Sequence, residues 1–144
     1  MSIAAIDFGR KWVGIAVTGA DGKGAYPVRT IRRRSLAVDL EAIGKLLAEH
    51  EVTRVVVGLP LNMDGTAGAQ ASAAEAFARR LHEFTGIEVE LFDERLTSFE
   101  AQERLKALPS RKRQKEHAID AVAACVILEG WQQKRASEGR SVIG

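Results

Sequence analysis

Four acidic residues, Asp7, Asp93, Glu94 and Asp120, stand where this chain could do chemistry. Asp7 closes the apolar run Ile3-Ala4-Ala5-Ile6, and the turn Gly9-Arg10-Lys11 separates it from a second apolar run beginning at Trp12. A carboxylate at the end of a buried strand is costly unless something needs its charge. A metal ion or a phosphate–metal complex is one such need, and ordering of the turn is the other reading. Asp93 and Glu94 follow a run over 87–92 that alternates apolar and acidic residues. Asp120 lies in His117-Ala118-Ile119-Asp120-Ala121-Val122-Ala123-Ala124, among neighbours that are almost all apolar. A lone Asp in a buried helix needs a charged partner or a metal. His117 is three residues before it, on the same helix face; it could ligate a metal, move a proton, or sit at the surface near the helix N-terminus.

Oxygen ligands with few nitrogen or sulfur alternatives suit Mg²⁺ or Mn²⁺ rather than Zn²⁺. Asp7, Glu94 and Asp120 are the expected metal set, with Asp93 the alternative to Glu94, because a bending strand end leaves that choice open. Two such ions about 4 Å apart can activate water and stabilise the leaving oxygen in phosphodiester cleavage.

These acids must be positioned by elements that the hydrophobic pattern outlines. Residues 3–8, 12–18 and 25–31 read as strands joined by short turns, hence an antiparallel meander, and Pro27 places the third at or near an edge. Ser35 reads as the N-cap of a helix striped by Leu36, Leu40, Ile43 and Leu47. The β-branched run within 53–59 is a strand buried on both faces, and Gly58 to Thr66 is a loop. A helix over 67–84 carries the stripe Ala73, Phe77, Leu81 and Phe84 and stops at Gly86. A strand over 87–92 follows. Thr97 with Glu100 forms a capping box for a third helix, Leu108-Pro109-Ser110 breaks it, 111–115 is a basic linker, and a last helix spans about 116–134. Strands 1, 4 and 5 alternate with helices and are therefore parallel. Ligands of such sheets bind beyond the carboxyl ends of the strands, where Asp7, the Gly58 loop and Asp93-Glu94 converge.

The 144 residues suit a single domain, taken here as 1–136 with a polar tail over 137–144. Apolar residues at 46% and charged residues at 28% are ordinary globular values, which excludes a disordered chain. No stretch approaches a membrane span. One cysteine, Cys125, excludes an internal disulfide framework, and with no basic, apolar leader the cytoplasm is the expected compartment. Net charge is only +2, but the bases are grouped: Arg29, Arg32, Arg33 and Arg34 in one segment, Lys106, Arg111, Lys112, Arg113 and Lys115 in another. Either group could be a solvated loop or a grip on a phosphate backbone. Arg111, Lys112 and Arg113, with Arg10 and Lys11 in the first turn and Arg95 beside Glu94, are the candidate nucleic-acid contacts. Cys125, His50 and His82 read as core or surface fill, and Trp12 and Trp131 as packing rather than base-stacking platforms.

Four motifs, in this order, resemble the YqgF/RuvX family: Asp7-x-Gly9-x-Lys11-x-x-Gly14-x-Ala16; Val57-Gly58-Leu59-Pro60-Leu61-Asn62-Met63-Asp64-Gly65-Thr66; Asp93-Glu94-Arg95-Leu96-Thr97-Ser98; and Ile119-Asp120-Ala121-Val122-Ala123-Ala124. The resemblance spans about residues 3–130. It implies an RNase H-like α/β fold, a mixed five-stranded sheet with strand 2 antiparallel and helices on both faces. It also implies a metal-dependent nuclease assigned to maturation of the 5′ end of pre-16S rRNA, some members being described instead as Holliday junction resolvases. Asp7, Glu94 and Asp120 correspond to the catalytic acids of that superfamily. The His117-x-x-Asp120 pair is also similar to the C-terminal motif of RuvC resolvases.

The expected partner is therefore a nucleic acid, structured RNA or branched DNA, and not a membrane, met by a monomer or a homodimer. Two other functions compete. Asp-x-Gly before a Gly-Ile-Ala strand also resembles the first phosphate motif of actin-like ATPases, but this chain has one such unit and no second domain to enclose a nucleotide. A non-catalytic ribosome-assembly factor could keep the acids without using them.

Overall fold

The computed structural model describes residues 2–97, residue 103, and the helix backbone over 118–143 with its side chains over 121–138. Strands β1 (Ser2–Phe8), β2 (Trp12–Val17), β3 (Tyr26–Arg32), β4 (Val52–Leu59) and β5 (Glu88–Asp93) form one sheet in the order β3-β2-β1-β4-β5. β1, β2 and β3 pair antiparallel, whereas β1–β4 and β4–β5 are parallel. The meander and the parallel half are those read from the hydrophobic pattern. Pro27 does sit on an edge strand, beside a register shift in the β2–β3 ladder, where a missing N–H is tolerated.

Alternation along the strands builds a core on each face of the sheet. Ala4, Ile6, Phe8, Val13, Ile15, Val55 and Val57 pack against helices α1 (Leu36–Glu49) and α2 (Ala69–Thr85). Ala5, Ala16, Val56 and Phe92 pack against Ala124, Ile127, Leu128 and Trp131 of α3 (Ala118–Ile143). Asp7 is two residues beyond Ala5 and so belongs to the α3 face. Among the described residues no helix is long and apolar enough to cross a membrane.

Ser35 caps α1 as expected, its Oγ accepting from Val38 N at 3.3 Å. Gly86 ends α2 in the left-handed region at φ 75°, its N–H donating to His82 O, a conformation that a side chain would disfavour.

Two expectations need correction. Phe84 does not complete the buried stripe of α2: it is 55% exposed, and the buried face is Ala71, Ala74, Phe77, Ala78 and Leu81. Phe84 lies in the last turn and covers Gly44 of α1, where a β-carbon would stand 3.3 Å from its ring; its outer side meets solvent. The last helix also continues past Lys134 to Ile143. Lys134 and Glu138 pair across one turn at 3.9 Å, and no proline intervenes to stop it. The helix expected from the Thr97–Glu100 capping box, its break at Leu108-Pro109-Ser110 and the 111–115 linker lie outside the described residues.

Candidate active site

The carboxyl ends of β1, β4 and β5 lie side by side on one edge of the sheet and deliver Asp7, the loop after Gly58, and Asp93. Asp93 caps a single 3₁₀ turn, Glu94–Leu96, by accepting from Arg95 N at 2.9 Å. This turn redirects the chain as the strand ends. It sends Glu94 back over the sheet and Asp93 towards Arg95.

Glu94 comes to rest above Gly58. A β-carbon at position 58 would stand 3.0 Å from Glu94 Oε2 and 2.5 Å from Ile127 Cδ1, so the glycine makes room for both the acid and the helix behind it. Burial there pushes the Glu94 carboxyl up from 4.5 to about 7, and the negative charges of Asp7 and Asp93 push in the same direction. Asp7 and Glu94 are thereby one electrostatic unit, although 87 positions separate them in the chain.

Asp93 has a different environment. Its carboxylate takes Arg95 Nε on both oxygens at 3.0 Å and Arg95 Nη2 at 2.7 Å. That fork of hydrogen bonds holds its pKa below the ordinary value. Arg95 also reaches Met63 O at 3.4 Å. It ties the end of β5 to the loop after β4, so its guanidinium is already engaged within the site's frame. The loop has its own bracing: Asp64 Oδ1 accepts from Thr66 N and Thr66 Oγ1, and Asn62 Nδ2 donates to that same hydroxyl. The bonds from Thr66 lower the Asp64 pKa.

Asp120 enters through the backbone of the first turn of α3. Trp131 and Ile3 line the same surface recess at the start of β1, whereas Ile127 approaches Gly58 at the carboxyl end of β4, level with Asp7. α3 therefore runs antiparallel to β1, and position 120, one turn before Ala124, falls towards the Asp7 end of the strand. The side chain of Asp120, and His117, Arg111, Lys112 and Arg113 altogether, lie outside the described residues. Among the described residues no three His, Cys, Asp or Glu side chains form a metal-sized group; the pair that is described is Asp7 and Glu94. Arg10 and Lys11 are exposed in the turn beside Asp7.

Other contributors had no local signature in the sequence. Gln70, near the start of α2, donates from Nε2 to Phe8 O at 2.7 Å and holds the residue that follows Asp7. Arg33, grouped by sequence with the solvent-facing bases of its segment, instead turns inward to the carbonyls of the same turn. A side chain that acts on a backbone carbonyl 62 positions away leaves no motif behind. Trp131 is buried in the α3 core, as anticipated, and His82 Nδ1 stands 2.8 Å from Ile87 O at the end of α2.

A mixed sheet in this order, with acids gathered at the carboxyl edge of its parallel strands and a helix across the first of them, defines an RNase H-like protein. The fold agrees with RuvC of Thermus thermophilus, at TM-score 0.55 and 15% identity over 93% of this chain and 96% of that one. It agrees similarly with the Fowlpox virus resolvase solved with Holliday junction DNA, at TM-score 0.54 and 11% identity over 94% and 98%. The model of the RuvX family, described as Holliday junction resolvase, matches residues 1–134. Curated relatives bear the name "Putative pre-16S rRNA nuclease": one from Anaeromyxobacter sp. strain K is 49% identical over 94% of this chain and 99% of its own length, and one from Moorella thermoacetica is 42% identical over 96% and 99%. This chain belongs to the RuvX family.

Proposed function

We propose that this protein is a divalent-metal-dependent nuclease that hydrolyses phosphodiester bonds in the maturation of the 5′ end of pre-16S rRNA. The observation that carries the reading is the placement of the acids: Asp7 ends β1 and Glu94, half-buried over Gly58, follows β5, both at the carboxyl edge of the parallel strands, and the Asp7 charge helps burial push the Glu94 carboxyl up to about 7. Two carboxylates held together against their repulsion suit a site built for positive charge. Their donors are hard oxygens, which fit Mg²⁺ or Mn²⁺. Asp7, Glu94 and Asp120 would hold the metal. When bound, such an ion polarises the phosphoryl oxygen and activates water.

The chain's own residues do the rest. Asp7 is presented by the end of β1 and Glu94 by the 3₁₀ turn that follows β5, and a bound cation would favour the ionised form of Glu94. Asp93, fixed by Arg95, keeps the 3₁₀ turn from unwinding and so holds Glu94 over Gly58. Arg10 and Lys11 grip the phosphates flanking the cut, with Arg111, Lys112 and Arg113 as further contacts. His117, three positions before Asp120, would carry a proton.

The relatives' names, over nearly their whole length, favour ribosomal RNA as substrate. The family description and the His117-x-x-Asp120 spacing favour the second reading, a Holliday junction resolvase acting on branched DNA. A leader RNA needs one cut and one copy of the chain, whereas a junction needs two symmetric cuts and so a homodimer. The test is cleavage of a synthetic pre-16S leader beside a synthetic four-way junction, with Mg²⁺ and with Mn²⁺, by wild type and Asp120→Asn. Cutting of the leader alone, lost in the variant, is the expected result. Preference for the junction transfers the assignment to the second reading. Activity that survives Asp120→Asn exposes a contaminant and leaves an assembly factor.

A further inference from the structure

Arg33 follows the last residue of β3 and turns under the loop that carries the first acid. Its Nη1 donates to Gly9 O at 3.2 Å and reaches Arg10 O at 3.4 Å, while its own backbone N–H donates to Lys11 O at 2.7 Å. The guanidinium carbon stands 4.2 Å from the centre of the Phe8 ring, and that ring stacks on Phe77 with centroids 4.1 Å apart and planes 12° apart. Behind Arg33 lies Asp39 of α1, 2% exposed. Asp39 Oδ1 accepts from Arg34 N at 3.0 Å, and Oδ2 faces Arg33 Nε at 3.7 Å. Among the described residues neither of those last two atoms has a hydrogen-bond partner.

A buried carboxylate whose part-exposed arginine does not close into a hydrogen bond with it is a poor source of stability, since the cost of desolvating the acid offsets the attraction. Its geometry serves direction instead. The planar fork of an arginine can face a carboxylate, two carbonyls and an aromatic ring at once, which a lysine cannot. Those carbonyls belong to the turn after Asp7, and the ring belongs to the residue beside it. We propose that Arg33, braced from behind by Asp39, is a positioning residue for cleavage: it fixes the Gly9–Lys11 turn and, through Phe8, the aim of Asp7. The inference rests on the nuclease reading above.

Displacing a reacting group by about 1 Å can lower a rate roughly a hundredfold without weakening binding. The test therefore separates rate from affinity in the full-length protein. Single-turnover cleavage of the synthetic leader RNA with Mg²⁺ is compared with RNA Kd for wild type, Arg33→Lys, Arg33→Met, Asp39→Asn and Arg10→Ala. Arg33→Lys and Asp39→Asn should cut roughly ten- to a hundredfold more slowly at saturating RNA, with Kd and its salt slope unchanged. Arg10→Ala should raise Kd. The Arg33→Met/Asp39→Asn double variant should be no slower than the slower single one, since the two residues act as one device. Amide exchange at Gly9, whose N–H donates to Trp12 O, should quicken in the Arg33 variants while the core of β4 keeps its protection. Should Arg33→Met fail to fold, Arg33→Lys, which keeps the charge, decides. A wild-type cleavage rate in Arg33→Lys, or a loss seen wholly in Kd, overturns the proposal. A folded wild type that cuts neither the leader RNA nor the four-way junction overturns the nuclease reading instead, and unchanged Gly9 exchange in Arg33→Lys then overturns this one too.

Discussion

Partial burial of the Glu94 carboxyl, with the negative charges of Asp7 and Asp93 beside it, pushes its pKa up to about 7. The folded chain binds the carboxyl proton more tightly than the unfolded chain, whose glutamate titrates near 4.5. Raising the pH from 4.5 to about 7 therefore removes stability from the metal-free protein, by roughly 3 kcal/mol if the whole shift is realised, and the loss is complete above that window. Urea unfolding in chelator across this range should show wild type losing stability relative to Glu94→Gln, which has no carboxyl to titrate. Parallel curves for the two proteins would show that the acid is not strained. Asp7→Asn acts on the same unit from the other side. It takes away one of the charges that raise the Glu94 pKa, so the metal-free protein should be as stable as wild type or slightly more so. Cleavage should fall at least about a hundredfold, and the thermal shift produced by Mn²⁺ should shrink. A structural aspartate would behave oppositely, with stability reduced and the response to Mn²⁺ intact.

At the scale of elements, the site depends on how closely α3 and the 3₁₀ turn approach β4. Gly58 sets that distance. Gly58→Ala would force apart the buried Ile127 and the Glu94 carboxylate, and such overpacking costs about 1–3 kcal/mol. Cleavage should fall with it, because the side chain that moves is one of the site's acids. Gly44→Ala is the contrasting change. It sits within α1 and its β-carbon meets only the edges of Phe84 and Thr85, at 3.3 Å and beyond. Phe84 is exposed and can yield, so stability should stay level or rise by up to about 1 kcal/mol, with cleavage unaltered. Thermal melts and cleavage rates for the two variants, measured together, check the pair. Equal falls in activity would mean that the close approach at Gly58 has no special connection to the site.

For the molecule as a whole, the balance of charge predicts how it meets a polyanion. A net charge of +2 attracts little at long range, so affinity must come from grouped bases close to the acids. Arg10 and Lys11 are exposed beside Asp7, and Arg111, Lys112 and Arg113 form a second group in the sequence. Replacing the second group with alanine should weaken RNA binding and lower the slope of log K against log salt by about one for each phosphate left unneutralised. The rate at saturating RNA should change less. An unchanged slope in a salt titration would reduce that segment to a solvated linker.

Much of this protein could be read from the chain itself, because hydrophobic period and turn chemistry are local properties. The meander of β1 to β3, the parallel pairing of β1, β4 and β5, the cap at Ser35 and the stop at Gly86 each follow from residues within a few positions of one another. The convergence of Asp7 with Asp93-Glu94 followed as well, since parallel strands place their carboxyl ends on one edge. Other properties depended on distances that no local pattern encodes. Asp93 and Glu94 are neighbours of the same chemistry, and their separate environments arise from one 3₁₀ turn that gives Asp93 to Arg95 and lays Glu94 over Gly58. Phe84 continues the helical stripe yet faces solvent, because α1 presents a glycine there and α2 ends. Arg33 shares its composition with the exposed bases around it, and only the packing of Asp39 and Phe8 turned it inward. Periodicity determines which face of an element is apolar; which polar side chain meets which carbonyl is set by the approach of elements far apart in the chain, and that exists only once the sheet has closed.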